Sequence, residues 1–311
     1  MRVVVGIPVF NEMGFIDMNV SNMLTIGFDD IVYLDDCSTD GSYEKLLEYS
    51  KKHSNIHVFK NGANSIACKT VNRWKTLAEF CRGFEPDWIM VRASDQEFSF
   101  RTKILLRPQL EFFLNNKPNV NVVCFPVVHL WRSKFWYRAD KEWGYSAENP
   151  VSDCCWRGDS DWDFKGEFTK TGMHRGCHRP NYFGGKNICF LDVNFGLKDK
   201  PIVVLHYGLC SHDHIAKKLD FQMHVAEVIH GGNGFPMPSM LSSVIHWRNL
   251  NGYKIAHEFD MNLLPVKDIW YDEPPNKGDK PKVQSLYNVI HKYNIKAAEE
   301  YKDLFYKTFE F

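Results

Sequence analysis

The sequence predicts an α/β protein: a doubly wound, mostly parallel sheet followed by a helical C-terminal extension. Three observations carry this. Short apolar, partly β-branched runs alternate with helix-like stretches from Val3 to Val91, the pattern of parallel strands joined by crossover helices. The stretch Ile31 to Ser42 reads as a buried strand that ends in Asp35 and Asp36 and turns straight into a helix, with Ser38, Thr39 and Asp40 as capping residues and Gly41 easing the turn. Right-handed crossovers then place every strand's carboxyl end on one side, where open α/β sheets bind ligands.

In chain order, Val3 to Val5 begin a buried strand that ends at Gly6-Ile7-Pro8, and Pro8, Asn11 and Glu12 form the loop after it. Met13 to Ile26 is a helix, Ile31 to Leu34 a strand and Tyr43 to His53 an amphipathic helix. Ile56 to Phe59 is a short strand, Asn61 to Ser65 a polar loop and Ala67 to Arg82 a helix. The fourth strand, Asp87 to Val91, ends in Arg92-Ala93-Ser94-Asp95-Gln96-Glu97-Phe98, and a helix starts near Arg101. Asn121 to Leu130 reads as a single apolar strand. From Trp131 to Arg179 periodicity is poor and Trp, Tyr, Arg and Asp are frequent, the character of a long functional loop. Strands return at Asn187 to Val193 and Ile202 to His206, and Ser211 to Ile229 reads as a helix. Beyond Gly231, Met240 to Gly252 and Val283 to Phe309 read as helical, separated by the linker Glu273 to Gly278. The last segment packs against the sheet or a partner chain, which is a route to an oligomer.

Composition narrows the class. Lys+Arg and Asp+Glu both number 38, so the formal net charge is zero, which argues against a broad nucleic-acid or anionic-membrane surface. The nine cysteines are irregularly spaced and several lie in apolar runs. That suits reduced thiols in a cytoplasmic protein rather than a disulfide framework. The chain starts directly on a strand, so no signal peptide is expected, and no apolar run approaches the roughly 20 residues of a membrane span.

The polar groups at the strand ends suggest the chemistry. A carboxylate only accepts hydrogen bonds, so Asp35 and Asp36 suit ribose hydroxyls or base N–H groups; Asp36 or Asp40 as a plain helix cap is the alternative. In an extended chain Asp95 and Glu97, two apart, point the same way and offer oxygen ligands to Mg²⁺ or Mn²⁺, with waters and phosphates completing the shell. A solvated acidic turn is the competing reading. His206, at a strand's carboxyl end beside Gly208, reads as a further metal ligand, against the alternative of a hydrogen-bonded core histidine. Lys217 and Lys218 supply charge near a phosphate or form a solvated helix face. His174, Cys177 and His178 lack the second ligand pair that zinc needs, and His212 and His214 sit at a helix start with no clear metal geometry.

The motifs Gly-Ile-Pro-Val-Phe-Asn-Glu from Gly6, Leu-Asp-Asp-Cys-Ser-Thr-Asp-Gly-Ser from Leu34, Asp-Trp-Ile-Met-Val before Asp95 and Leu-His-Tyr-Gly from Leu205 together resemble the family-2 glycosyltransferases, with their Rossmann-like GT-A fold. The likeness covers residues 1–130 well and 187–218 more loosely. It implies residues 1–230 as the GT-A domain (1–130 binding the nucleotide sugar, 131–230 the acceptor) and 231–311 as the helical extension. It further implies a nucleotide-diphosphate-sugar donor held by Pro8, Asn11, Glu12, Asp36 and Asp35. A Mn²⁺ or Mg²⁺ ion is expected on Asp95 first, with Glu97 and His206. The acceptor is a glycan or other hydroxyl, and the anomeric centre inverts. The usual Asp-x-Asp run departs here to Ser94-Asp95-Gln96-Glu97. The acceptor hydroxyl needs a carboxylate base, for which Asp161, Asp159 and Asp163 are the candidates and Asp153 an outsider. Two alternatives stay open: a sugar-phosphate nucleotidyltransferase, whose basic glycine-rich loop is missing from Pro8 to Gly14, and a non-catalytic sugar-binding protein on a degenerate transferase fold.

Overall fold

The computed structural model describes residues 1–62, 76–98, 102–125, 127–131, 136–138, 153–159, 188–190, 202, 204–209 and 263–265. The chain divides into two compact units: Met1–Val127, Ser146–Glu167 and Arg175–Leu205 form the first, and Val128–Tyr145, Phe168–His174 and His206–Phe311 the second.

The first unit is built on a sheet containing β1 (Val3–Val9), β2 (Asp30–Asp35), β3 (Ile56–Lys60), β4 (Trp88–Val91), β6 (Val122–Phe125), β9 (Asp153–Arg157) and β10 (Ile188–Phe190). Their spatial order is β10-β6-β9-β4-β1-β2-β3. β1 pairs in parallel with β2 on one side and β4 on the other, and β2 pairs in parallel with β3. The order 3-2-1-4 changes direction at β1, which is where an open α/β sheet leaves a crevice at its carboxyl edge. β9 alone runs against the rest, wedged between β4 and β6.

β1 shows why the sheet needs helices on both faces. All its residues are buried. Val3, Val5, Ile7 and Val9 join one core with Ile16, Val20 and Met23 of α1 (Met13–Ile26), Leu46 of α2 (Ser42–Lys52) and Leu106, Leu110 and Phe113 of α4 (Thr102–Asn116). Val4 joins the opposite core with Leu77, Ala78 and Cys81 of α3, described over residues 76–82. Gly6 lies on that second face, where a Cβ would come within 2.8 Å of Leu77 Cγ and Cys81 Sγ. Its missing side chain lets α3 settle onto β1. Burial pushes the Cys81 thiol well above the usual range, so it is inert in the native protein.

Charge is tied down at the amino-terminal edge. Asp30 accepts from Arg2 Nε at 2.9 Å and Nη2 at 2.7 Å and lies 2.8 Å from His57 Nε2. Asp29 accepts from Val3 N at 2.7 Å and Arg107 Nη2 at 2.6 Å. These pairs lie at the edge opposite the crevice.

In the second unit β8 (Trp136–Arg138) pairs antiparallel with β7 (Val127–Trp131) and with β12 (Leu263–Pro265), and β11 (Val204–Leu209) follows β7 in the order β12-β8-β7-β11. β12 is the described part of the C-terminal extension; the expected helices there, and the one from Ser211 to Ile229, fall outside the described residues.

Several expectations need correction. The apolar run expected as one strand is two, β6 and β7, with Pro126 between them; proline brings no N–H to a ladder. The stretch read as irregular contains β8 and β9. β9 is a core strand: Trp156 is fully buried, and Arg157 lies 4.6 Å over the Trp88 ring while donating to Phe113 O at 3.2 Å. The strand expected to end at His206 runs on to Leu209, so His206 is a mid-strand residue.

Candidate active site

The carboxyl ends of β1, β2 and β4 are neighbours. Register pairs Pro8 with Leu34 and Val9 with Asp35 across β1 and β2, and Gly6 with Val91 across β1 and β4. Backbone bonds extend the ladder past the strand ends: Asp36 N donates to Val9 O at 2.8 Å and Arg92 N to Gly6 O at 2.9 Å. Pro8, Asn11, Glu12, Asp35, Asp36 and Asp95 therefore issue from three adjacent strands onto one edge.

The loops after β1 and β2 are stitched to each other. Asn11 N donates to Ser38 Oγ at 2.9 Å, and Thr39 N donates back to Asn11 Oδ1 at 2.7 Å. Glu12 N donates to Ser42 Oγ at 3.0 Å, and Met13 N to Asp40 Oδ2 at 3.0 Å. Asn11 and Cys37 hold φ of 53° and 64°, a left-handed geometry costing non-glycine residues about 1 kcal/mol or more and concentrated at functional sites. Asn11 therefore serves the loop's shape directly, through its own carbonyl oxygen.

Asp40, expected as a cap for α2, caps two helices at once. Gly41 precedes α2 at φ 92° with no side-chain cap bond, a conformation glycine adopts freely. The Asp40 carboxylate caps α2 by accepting at Oδ1 from Ser42 N at 3.0 Å and Ser42 Oγ at 2.5 Å, and its Oδ2 caps α1 across the loops by accepting from Met13 N. Its partial burial raises the pKa, but the Ser42 hydroxyl and the N–H groups of Met13 and Ser42 outweigh that and hold it below the usual carboxylate range. A lowered folded pKa stabilises above the unfolded value and stops doing so as pH falls through the folded one. Asp40→Ala should thus cost about 1 kcal/mol, the size of a lost cap trimmed by solvent screening. Urea unfolding should show that gap at neutral pH and see it close in acid.

Asp35 is fully buried. Its Oδ2 accepts from Ser38 N at 3.0 Å, while among the described residues Oδ1 has no hydrogen-bond partner. Burial pushes its pKa up, with the Ser38 bonds pulling the other way. Asp36, 1% exposed, accepts at Oδ1 from Asn61 Nδ2 at 2.9 Å.

Beyond β4, Asp95 is 1% exposed and sits in a turn before β5 (Gln96–Phe98). Asp95 and Glu97, expected to share a side of an extended chain, do not lie on one extended segment: Asp95 is in the turn and Glu97 in β5. α1 grips β5 from below: Asn22 accepts from Phe98 N at 2.8 Å and donates to Phe98 O at 2.9 Å, and Asn19 Nδ2 donates to Gln96 O at 3.2 Å. Arg92, fully buried with its guanidinium 3.9 Å over the Phe98 ring, brings a cation to this strand end. The signal for it in the sequence is its place directly after the apolar run Trp88–Val91, which carries it to a strand's carboxyl end.

Among the described residues no three His, Cys, Asp or Glu side chains form a metal cage. The donor chemistry still fits a hard cation, because Mg²⁺ and Mn²⁺ are held by one or two carboxylates together with substrate phosphates, and Asp95 and Glu97 are oxygen donors. His206, half-buried, belongs to the second unit.

Of the acids expected as base, Asp159 is exposed and follows β9. β9 is antiparallel to β4, with Arg157 beside Trp88 and Gly158 N donating to Asp87 O at 3.0 Å. Asp159 therefore lies at the amino-terminal edge, away from Asp36 and Asp95, because β9 runs against β4; that reversal is not visible in the sequence. Asp153, at the other end of β9, pairs with Phe125 and sits at the carboxyl edge. Asp161, Asp163 and Lys217 fall outside the described residues.

A family model described as glycosyl transferase family 2 matches residues 4–180, more than half of the chain. The chain belongs to glycosyl transferase family 2. Its mostly parallel α/β sheet is the GT-A fold of that family. Among solved structures, the chain is similar to the mannosyltransferase PcManGT from Pyrobaculum calidifontis in complex with GDP-Man and Mn²⁺, at 11% identity and TM-score 0.43, covering 81% of this chain and 70% of that one. It is also similar to a 4-diphosphocytidyl-2C-methyl-D-erythritol synthase, at 15% identity and TM-score 0.29, covering 50% of this chain and 75% of that one. No curated protein matches the chain. Among the described residues of this glycosyltransferase no helix is long and apolar enough to cross a membrane.

Proposed function

We propose that this family-2 glycosyltransferase moves a sugar from a nucleotide-diphosphate-sugar donor to an acceptor hydroxyl, with a divalent cation and with inversion. One observation carries the reading: the loops after β1, β2 and β4 leave three adjacent parallel strands on the same edge, at the turn-round of the strand order. Pro8, Asn11 and Glu12 border the nucleotide, with Asp36 and Asp35 accepting from its base and ribose. Asp95, with Glu97 and the donor's phosphates, would hold Mn²⁺ or Mg²⁺, which would stabilise the charge that develops on the leaving diphosphate; His206 makes no three-residue ligand group with them among the described residues.

The acceptor's proton goes to a carboxylate on the face opposite the leaving group. Asp161 and Asp163 remain candidates, and Asp153 gains weight because its backbone starts β9 at the ligand edge. Asp159 loses weight through its place at the far edge.

The test is turnover of a panel of nucleotide sugars without acceptor. Slow Mn²⁺-dependent release of nucleoside diphosphate is expected. Pyrophosphate release from a nucleoside triphosphate would instead make the protein a nucleotidyltransferase, and sugar binding without any turnover would make it a binding protein.

A further inference from the structure

Asn61 stands just past β3, outside every motif that suggested the site. It nevertheless touches three consecutive residues at the end of β2. Its N–H donates to Asp35 O at 2.7 Å, its side-chain Nδ2 to Asp36 Oδ1 at 2.9 Å, and its own carbonyl accepts from Cys37 Sγ at 3.2 Å. Those three residues include the buried Asp36 and the left-handed Cys37. A loop residue that only had to follow its strand would need the first of these bonds and neither of the others.

We propose that Asn61 is a positioning residue for nucleotide recognition, acting through Asp36; the inference rests on the donor reading above. An amide donor on Oδ1 fixes the rotation of the carboxylate and so aims its remaining lone pairs. A base or ribose donor then meets an acceptor of set direction.

An isosteric change separates this from a merely structural role. In Asn61→Asp the amide becomes a carboxyl, and two carboxyl groups this close share one proton. With the proton bound, the introduced group donates to Asp36 as the amide did; with it lost, two negative charges face each other. The titratable groups next to the pair in the described chain, Asp35, Cys37 and Lys60, are common to wild type and variant, so the ratio of their affinities isolates the pair.

Binding of UDP and of GDP, each with Mg²⁺, is measured by calorimetry at mildly acidic and mildly alkaline pH. Asn61→Ala is expected to weaken the tighter nucleotide about tenfold at both pH values, the size of one hydrogen bond to a charged group. Asn61→Asp is expected to bind within about twofold of wild type in acid and to fall behind by tenfold or more in alkali. An Asn61→Asp variant with the wild-type pH profile, or an Asn61→Ala variant of undiminished affinity, overturns the proposal. If Asn61→Asp does not fold, the alanine variant decides alone. Wild-type protein that binds neither nucleotide overturns the donor reading itself, and this inference with it.

Discussion

Asp95→Asn is expected to cut metal-dependent release of nucleoside diphosphate by about 10²–10³-fold, the usual consequence of removing one charge-stabilising group. The amide keeps the shape of the carboxylate but gives up its charge, so the buried turn before β5 should persist and the thermal midpoint should stay close to wild type. Asp95→Ala should lose as much activity. Asn19 and Asn22 of α1 hold the β5 backbone independently of the Asp95 side chain, which is why the loss should be chemical and not structural. The decisive measurement is the Mn²⁺ titration of donor hydrolysis. Wild-type turnover in Asp95→Asn at saturating Mn²⁺ would remove the cation from this strand end.

Gly158→Ala should be the most damaging small change in the sheet. A Cβ there would lie 1.9 Å from Pro86 O and 2.9 Å from Pro86 C. Both are backbone atoms, held where Gly158 N donates to Asp87 O, so neither can swing aside. We expect a loss of about 3 kcal/mol or more, at the upper end of overpacking costs. Gly6→Ala is the informative contrast. Its nearest atoms, at 2.8 Å, are the side-chain Cγ of Leu77 and Sγ of Cys81, which can shift, and about 1–2 kcal/mol is expected. Urea unfolding of the two variants side by side checks the order. If Gly158→Ala proves the milder, the approach of β9 to the segment before β4 is not as described.

The parts of the fold that could be read from the chain were those with local signals. Val3 to Val9 and Ile31 to Leu34 are apolar on both faces, and α1 was bounded as Met13 to Ile26 in both readings. Strand ends carrying Asp35, Asp36 and Asp95 followed from these, because a parallel sheet puts its carboxyl ends together.

Non-local structure was not legible. β9, Asp-Cys-Cys-Trp-Arg, holds no β-branched residue and is a strand only through its partners β4 and β6. Its reversed direction is what carries Asp159 to the amino-terminal edge and Asp153 to the carboxyl edge. Asp40 caps the helix that follows it, as its local pattern suggests, but its other oxygen also reaches Met13, 27 positions earlier, and no local signal shows that bond. The apolar run Ile202 to Leu205 ends at His206, but hydrogen bonding carries the strand to Leu209.

The reversed strand between β4 and β6 has a consequence for how the chain is made. A growing polypeptide that has just completed β6 at Phe125 contains both flanking strands but not the one that joins them, which arrives only with Asp153–Arg157. During that interval β4 offers a bare backbone edge to solvent, the form most open to pairing with a neighbouring chain. The same logic applies to shortened versions of the protein: a fragment ending after β6 retains the loops after β1, β2 and β4 yet leaves that edge unsealed.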